Sequence, residues 1–168
     1  MKKLQFIFSI ILATALLISC QNPKHFSKAE DLGKYTFDFL KKLENVSKEQ
    51  FLNNLLTLKE FKEFANKKDD SMQDIVKESI ERLDKKTYEA GLLRQYTLLK
   101  EKGKQYNIVW NDISYVDFTY EQRTDDVMTG IRGNLIFKHK DTEYKVLTSA
   151  LQDGDIYVPV IINRLSKN

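Results

Sequence analysis

Cysteine and histidine are nearly absent from this chain. It contains one cysteine, Cys20, and two histidines, His25 and His139. A single cysteine cannot close an intramolecular disulfide, so the folded domain must be stabilised by its own core. One cysteine and two distant histidines also lack the ligand spacing of a zinc site. We therefore expect neither a metal nor a cofactor.

Motifs of nucleophilic catalysis are also missing. His139 lies beside Lys138, a setting typical of a solvated turn, and no G-x-S-x-G stretch surrounds Ser114 or Ser149. The T-G-I-R-G-N stretch at residues 129–134 has no following helix that could receive a phosphate. We assign no catalytic residue, and an enzyme is the less favoured interpretation.

The excess of positive charge is small. The chain has 27 lysines and arginines against 24 aspartates and glutamates, for a formal charge of +3. Lys2 and Lys3 belong to the leader segment described next, so the charge of the chain without that leader is lower by two. A nucleic-acid-binding surface needs a basic patch or stripe. We expect no nucleic acid partner.

The N-terminus has the layout of a secretory signal peptide. Lys2 and Lys3 precede an apolar run at residues 4–18, which three polar residues interrupt. The run is about 15 residues long, which is short for a membrane-spanning helix of about 20 residues. A basic start followed by a short apolar segment is typical of a signal that is removed from the mature protein.

The apolar run ends in Leu17-Ile18-Ser19-Cys20, which resembles the lipobox of bacterial lipoprotein precursors. The resemblance implies cleavage before Cys20, with residues 1–19 as the signal peptide and acyl chains such as palmitate on the cysteine. Two or three acyl chains hold a protein at a membrane nearly permanently. Two alternatives remain open: a signal peptide cut elsewhere or left uncleaved, and a buried thiol at the end of a core helix.

Residues 20–27 are interpreted as the lipidated cysteine and a short tether. Gln21 rather than aspartate follows the cysteine, and the resemblance to proteobacterial lipoproteins then favours the outer membrane over the inner membrane. We therefore expect an exported protein that is lipid-anchored to the cell envelope. Residues 28–168 are long enough to bury the core of one domain.

Residues 28–102 are predicted to be helical. Apolar residues recur there at a period near 3.6 in successive amphipathic segments. The S-x-x-E and S-x-x-Q spacings that begin at Ser27 and Ser47 predict capping boxes. Gly103 stands where the last helix is expected to end.

After Gly103 the apolar period changes to two, which predicts strands. Four strands are expected within residues 105–165, and Asp153-Gly154 predicts a hairpin turn. Pro159 places the last strand at an edge of the sheet. Helices followed by an antiparallel meander predict an α+β domain, with three to five amphipathic helices packed on one face of a curved four-stranded antiparallel sheet.

This order of elements is similar to nuclear transport factor 2-like and cystatin-like folds. Trp110, the I-S-Y-V stretch at residues 113–116 and the G-N-L-I-F stretch at residues 133–137 also resemble segments of small exported lipoproteins. The resemblance implies an α+β body and carries no catalytic motif.

Several tyrosines fall in the predicted sheet, where they could line a concavity that holds a small ligand. The candidate ligand-binding residues are Tyr115, Asp117, Arg132 and Tyr144. The alternative interpretation places the tyrosines in the core and Arg132 in solvent.

Three functions remain open at this point. The favoured one is a non-enzymatic lipoprotein that contacts the membrane through acyl chains on Cys20 and binds an unidentified envelope protein or glycan. The second is a small-ligand binder, or a lyase or isomerase, that uses the tyrosine-lined concavity, as the nuclear transport factor 2-like resemblance permits. The third is an inhibitor or immunity-type protein. An exposed apolar patch would favour a protein interface, and an enclosed pocket would favour a ligand site.

Overall fold

The structure is a computed structural model that describes residues 24–67, 74–124 and 128–168. Helices come first along this part of the chain and strands follow. The helices are α1 (Asp31–Lys41), α2 (Lys48–Asn53), α3 (Leu58–Lys67), α4 (Asp74–Glu81) and α5 (Lys85–Gln105). The strands are β1 (Ser114–Thr124), β2 (Thr129–His139), β3 (Thr142–Asp153) and β4 (Ile156–Lys167). The predicted α+β class is therefore confirmed.

The strands form one antiparallel sheet in the order β1-β2-β3-β4, so each pairs with its sequence neighbour. The predicted hairpin between β3 and β4 is confirmed. Asp153 pairs with Ile156, and Gly154 begins the two-residue loop with a φ of 61°. Glycine adopts that backbone conformation without the steric cost that a Cβ atom adds.

One of the two predicted capping boxes is formed. The Ser47 hydroxyl accepts a hydrogen bond from the Gln50 amide at 3.1 Å, and the Gln50 side chain accepts one from the Ser47 amide at 2.8 Å. The box predicted at Ser27 is wrong, because α1 begins later, with Glu30 at its N-cap. The Glu30 carboxylate instead accepts a hydrogen bond from the Tyr120 hydroxyl at 2.7 Å, which ties α1 to β1.

The core lies between one face of the sheet and the helices α1, α2 and α5. Alternate residues of β2 and β3 contribute to it, among them Leu135, Phe137 and Val146, each with no exposed surface. A polar contact between α1 and β3 is also buried there: the Thr36 hydroxyl donates a hydrogen bond to the Thr148 hydroxyl at 3.1 Å, and the Thr148 hydroxyl donates to the Ile161 carbonyl at 3.0 Å. The described part of this core therefore combines apolar packing with a satisfied polar pair.

The packed domain begins before residue 28, although residues 20–27 were predicted to form a tether. Phe26 is 8% exposed and exchanges backbone hydrogen bonds with Tyr157 of β4 at 3.0 and 2.7 Å. Pro159 lies on the edge strand as predicted, and its carbonyl accepts a hydrogen bond from the Leu56 amide at 2.7 Å. These contacts cover the outer edge of β4 near the start of that strand.

One set of predictions concerns residues outside the described ranges. The predicted signal peptide and the lipobox-like stretch with Cys20 lie in residues 1–23. In the described residues, no helix combines the length and apolar character that crossing a membrane requires.

Candidate functional site

One face of the sheet points away from α1 and α5. In β2 and β3, its exposed and half-buried side chains alternate with the buried residues of the core face. Register places Thr119, Asn134 and Leu147 in one row across β1, β2 and β3. Arg132 lies in the next row toward the β3–β4 hairpin, and Lys145 lies in the next row away from it. A hollow of about 600 Å³ is centred on these three rows.

Cations dominate the lining of this hollow. Arg123, Arg132, Lys145 and Arg164 all border it, and Glu121 is the one acidic residue in its described lining. Glu121 accepts a hydrogen bond from Arg123 Nε at 2.8 Å, so that pair is neutral as a unit. Arg132, Lys145 and Arg164 have no hydrogen bond or ion pair with any residue that the structure describes. The hollow therefore presents three uncompensated positive charges, which favours an anionic ligand.

Arg164 reaches the hollow through an irregularity in β4. Lys145 pairs with Ser166 and Leu147 pairs with Asn163, so Arg164 and Leu165 together oppose the single residue Val146. Arg164 has a φ of 54° in this bulge, and a non-glycine residue in that region costs about 1 kcal/mol or more. Backbone strain of this kind concentrates at binding and catalytic sites.

The backbone positions of the cations are spread along the sheet. Ser149, which pairs with Arg132, lies four residues from Lys145 along β3, a distance of about 13 Å by strand rise. The hydroxyl and amide groups of Thr119, Asn134 and Ser166 line the same surface. An anionic molecule that also bears hydroxyl groups would find both kinds of partner there.

The four residues predicted to bind a ligand do not form one site. Arg132 borders the hollow, and Asp117 lies on the same sheet face, where its Oδ1 accepts a hydrogen bond from the Phe118 amide at 2.8 Å. Tyr144 is 4% exposed and stacks on Phe137 in the core. Tyr115 also faces the helices, although it is half-exposed.

The separation of Tyr115 from Asp117 has a clear cause. Residues two apart in a regular strand share a face, but the pairing of β1 shifts between Tyr115, which opposes Phe137, and Asp117, which opposes Ile136. Val116 is the extra residue of this bulge, so Tyr115 and Asp117 point to opposite faces of the sheet. Tyr115 therefore packs edge-on against Phe37 of α1, with ring centroids 5.5 Å apart. The lining of the hollow includes Tyr120 but neither Tyr115 nor Tyr144, the two tyrosines that the sequence predicts for the site.

Sequence reasoning missed Lys145 and Arg164. Lys145 stands between Tyr144 and Val146 in a strand of alternating character, so its exposure on the open face follows from period two. The sequence carries no comparable signal for Arg164. Ile162 faces the core, and in a regular strand Arg164, two residues later, would face the core as well. The bulge that turns it outward depends on pairing with β3.

A metal site is not assembled in the described residues. They contain no group of three or more histidine, cysteine, aspartate or glutamate side chains that could hold a metal ion. No family model, no curated protein and no solved structure matches the chain. Function must therefore be inferred from the residues of the site.

Proposed function

We propose that this protein is a lipid-anchored, non-enzymatic binding module of the cell envelope, and that the hollow on its open sheet face binds an acidic glycan. The anchoring part of the proposal is supported by the lipobox-like stretch that ends at Cys20. The observation that carries the binding part is the presence of Arg132, Lys145 and Arg164 around one hollow without a carboxylate partner among the described residues.

The chemistry of the lining favours a glycan over a small inorganic anion. Carboxylate or phosphate groups spaced along a sugar chain can contact several cations whose backbone positions lie about 13 Å apart. Sugar hydroxyls can exchange hydrogen bonds with Thr119, Asn134 and Ser166. The hollow is open, which suits a ligand that extends beyond it at both ends.

The first experiment is calorimetric titration of the full-length protein in detergent micelles with a uronic acid oligosaccharide and with a neutral oligosaccharide of the same length. We expect binding of the acidic sugar alone. Arg132→Gln and Lys145→Gln should each weaken it about tenfold, the usual effect of losing one charge-assisted hydrogen bond. Lys138→Gln is the matched control, because Lys138 lies on the same face of β2 but outside the hollow.

A second pair of variants separates binding from folding. Arg164→Gly removes a cation and also relieves the positive φ, so it should weaken binding without lowering the melting temperature. Lys140→Gly relieves a φ of 55° in the β2–β3 turn, outside the hollow, and should leave binding unchanged. Equal binding of the neutral sugar, or equal losses in Lys138→Gln and Arg132→Gln, would contradict the proposal.

A further inference from the structure

A second cavity, here called the helix groove, lies between α2, α3 and α5. Its volume is about 640 Å³, and its apolar lining includes Leu52, Leu56, Leu92 and Tyr88. The Tyr88 hydroxyl donates a hydrogen bond to the Leu56 carbonyl at 2.6 Å, so the polar end of this side chain is already satisfied. The remaining apolar surface is suited to an apolar ligand.

The rim of the helix groove is charged, with more lysine than glutamate. Lys59, Lys62 and Lys85 line it together with Glu63 and Glu89. Lys59 Nζ lies 3.7 Å from Glu63 Oε1, and Lys85 Nζ lies 3.6 Å from Glu89 Oε1. Both lysine side chains are largely exposed. Exposed pairs of this kind are weak, so these lysines remain available to an anionic group above the groove.

The start of the described chain is fixed beside this groove. The Lys24 ammonium donates hydrogen bonds to the Leu55 carbonyl at 3.3 Å and to Glu60 Oε2 at 2.7 Å. Burial alone would raise the pKa of Glu60, but the hydrogen bonds from Lys24 and Thr57 outweigh it and lower that pKa. Leu55 and Glu60 flank the groove-lining residues 56–59, so Lys24 is bound to the segment that lines the groove.

Covalent geometry then limits how far the groove can lie from a lipid anchor. Cys20 precedes Lys24 by four residues, which span at most about 14 Å. Arg164, one of the residues that line the hollow on the open sheet face, lies seven residues along β4 from Tyr157, the partner of Phe26, or about 23 Å by strand rise. If Cys20 carries the lipid anchor, the start of the described chain at Lys24 lies close to it.

We propose that the helix groove is a phospholipid site, which takes an acyl chain from the bilayer while the rim lysines contact an anionic headgroup. This inference rests on the proposed anchoring through Cys20. The position of Lys24 brings the groove to the bilayer surface, the leucine-rich lining matches an acyl chain, and the lysines match the negative charge of anionic lipids.

The test uses the full-length acylated protein, reconstituted in vesicles of zwitterionic and anionic phospholipid with brominated acyl chains. A thiol-reactive fluorophore is attached to the cysteine of an Asn66→Cys variant, which lies in the lining of the groove. The control carries the same fluorophore on an Asp141→Cys variant, in the β2–β3 turn. Cys20 is the sole native cysteine and would be thioether-linked, so the introduced thiol is the one that reacts. We expect at least twofold quenching at position 66 and none at position 141.

Charge reversal supplies a second readout. Lys59→Glu combined with Lys85→Glu should halve the quenching at position 66 in anionic vesicles. Quenching that is equal at positions 66 and 141, or absent from both in protein that floats with the vesicles, would overturn the lipid site and leave the anchor intact. A blue-shifted but unquenched label at position 66 would mean that another segment of the protein fills the groove, which also overturns it. Protein that does not float with the vesicles would overturn both the anchor and this inference.

Discussion

Two partly buried tyrosine hydroxyls hold the end of α2 to its neighbours. Tyr35 of α1 donates to the Asn54 carbonyl at 2.7 Å, and Tyr88 of α5 donates to the Leu56 carbonyl at 2.6 Å. Burial raises the pKa of Tyr35 well above its usual value of 10. Burial, followed by the charge of Glu60, raises the pKa of Tyr88 to about 12. Both hydroxyls therefore stay protonated in the folded protein at a pH where an unfolded chain has lost them.

This difference predicts alkaline destabilisation. Above pH 10 the unfolded state loses protons that the native state retains, so the free energy of unfolding falls as the pH rises from about 10 toward 12. Tyr35→Phe and Tyr88→Phe should each cost about 1 kcal/mol at pH 7 through the lost hydrogen bond. The double variant should also lose stability less steeply above pH 10. Urea denaturation at pH 7 and pH 11 measures both effects. If the free energy of unfolding of the double variant fell as steeply with pH as that of the native protein, the raised pKa values of Tyr35 and Tyr88 would not be the cause.

At the scale of elements, the contact between α1 and the sheet depends on two glycines. A Cβ atom at Gly33 of α1, or at Gly133 of β2, would lie closer than 3.0 Å to atoms of the Phe118 ring. Phe118 therefore occupies a space that the missing side chains leave open. The helix can lie this close to β1 and β2 because no methyl group separates them.

We expect Gly33→Ala to destabilise the protein by about 1–3 kcal/mol. Alanine improves helix propensity by about 1 kcal/mol, but overpacking against Phe118 outweighs that gain. Gly91→Ala in α5 is the matched control, because a Cβ atom there meets nothing within 4 Å. It should stabilise the protein by up to about 1 kcal/mol. Thermal denaturation of the two variants tests the pair, and a stabilised Gly33→Ala variant would refute the close contact.

The accuracy of the sequence predictions differs between elements for physical reasons. The capping box at Ser47 and the turn at Gly154 are local arrangements, and both were predictable from a few neighbouring residues. The start of α1 was not, since a tertiary contact with Tyr120 engages the carboxylate of Glu30. The faces of β1 were also not predictable, because the bulge at Val116 depends on pairing with β2.

The whole molecule carries two dissimilar candidate sites. Lys24 and Phe26 attach the start of the described chain to the α2–α3 connection and to β4, beside the helix groove. The cationic hollow lies on the open sheet face, with lining residues from all four strands. In the proposed orientation the groove is at the bilayer, and the hollow lies on a different face of the domain.

The anchoring proposal has its own test at this scale. Cys20→Ala should release the protein from membranes or leave an unprocessed precursor, because the acylated residue is lost. Ser27→Ala is a suitable control, since it lies close in sequence and outside the lipobox-like stretch. Membrane fractionation and mass spectrometry of the released or retained protein measure the result. A processed Cys20→Ala variant that stays on membranes like the native protein would contradict lipid anchoring.

The sequence by itself determined the α+β class. The apolar period changes from 3.6 to two, and this period is a local pattern that neighbouring residues define. It also determined the lipid-anchor hypothesis, which depends on a contiguous stretch. Only the tertiary structure decided which charges meet. Arg132, Lys145 and Arg164 come from three different strands, and two of the three pairings in the sheet contain bulges. A bulge reverses the facing of every later side chain in its strand, so the composition of the hollow depends on long-range pairing.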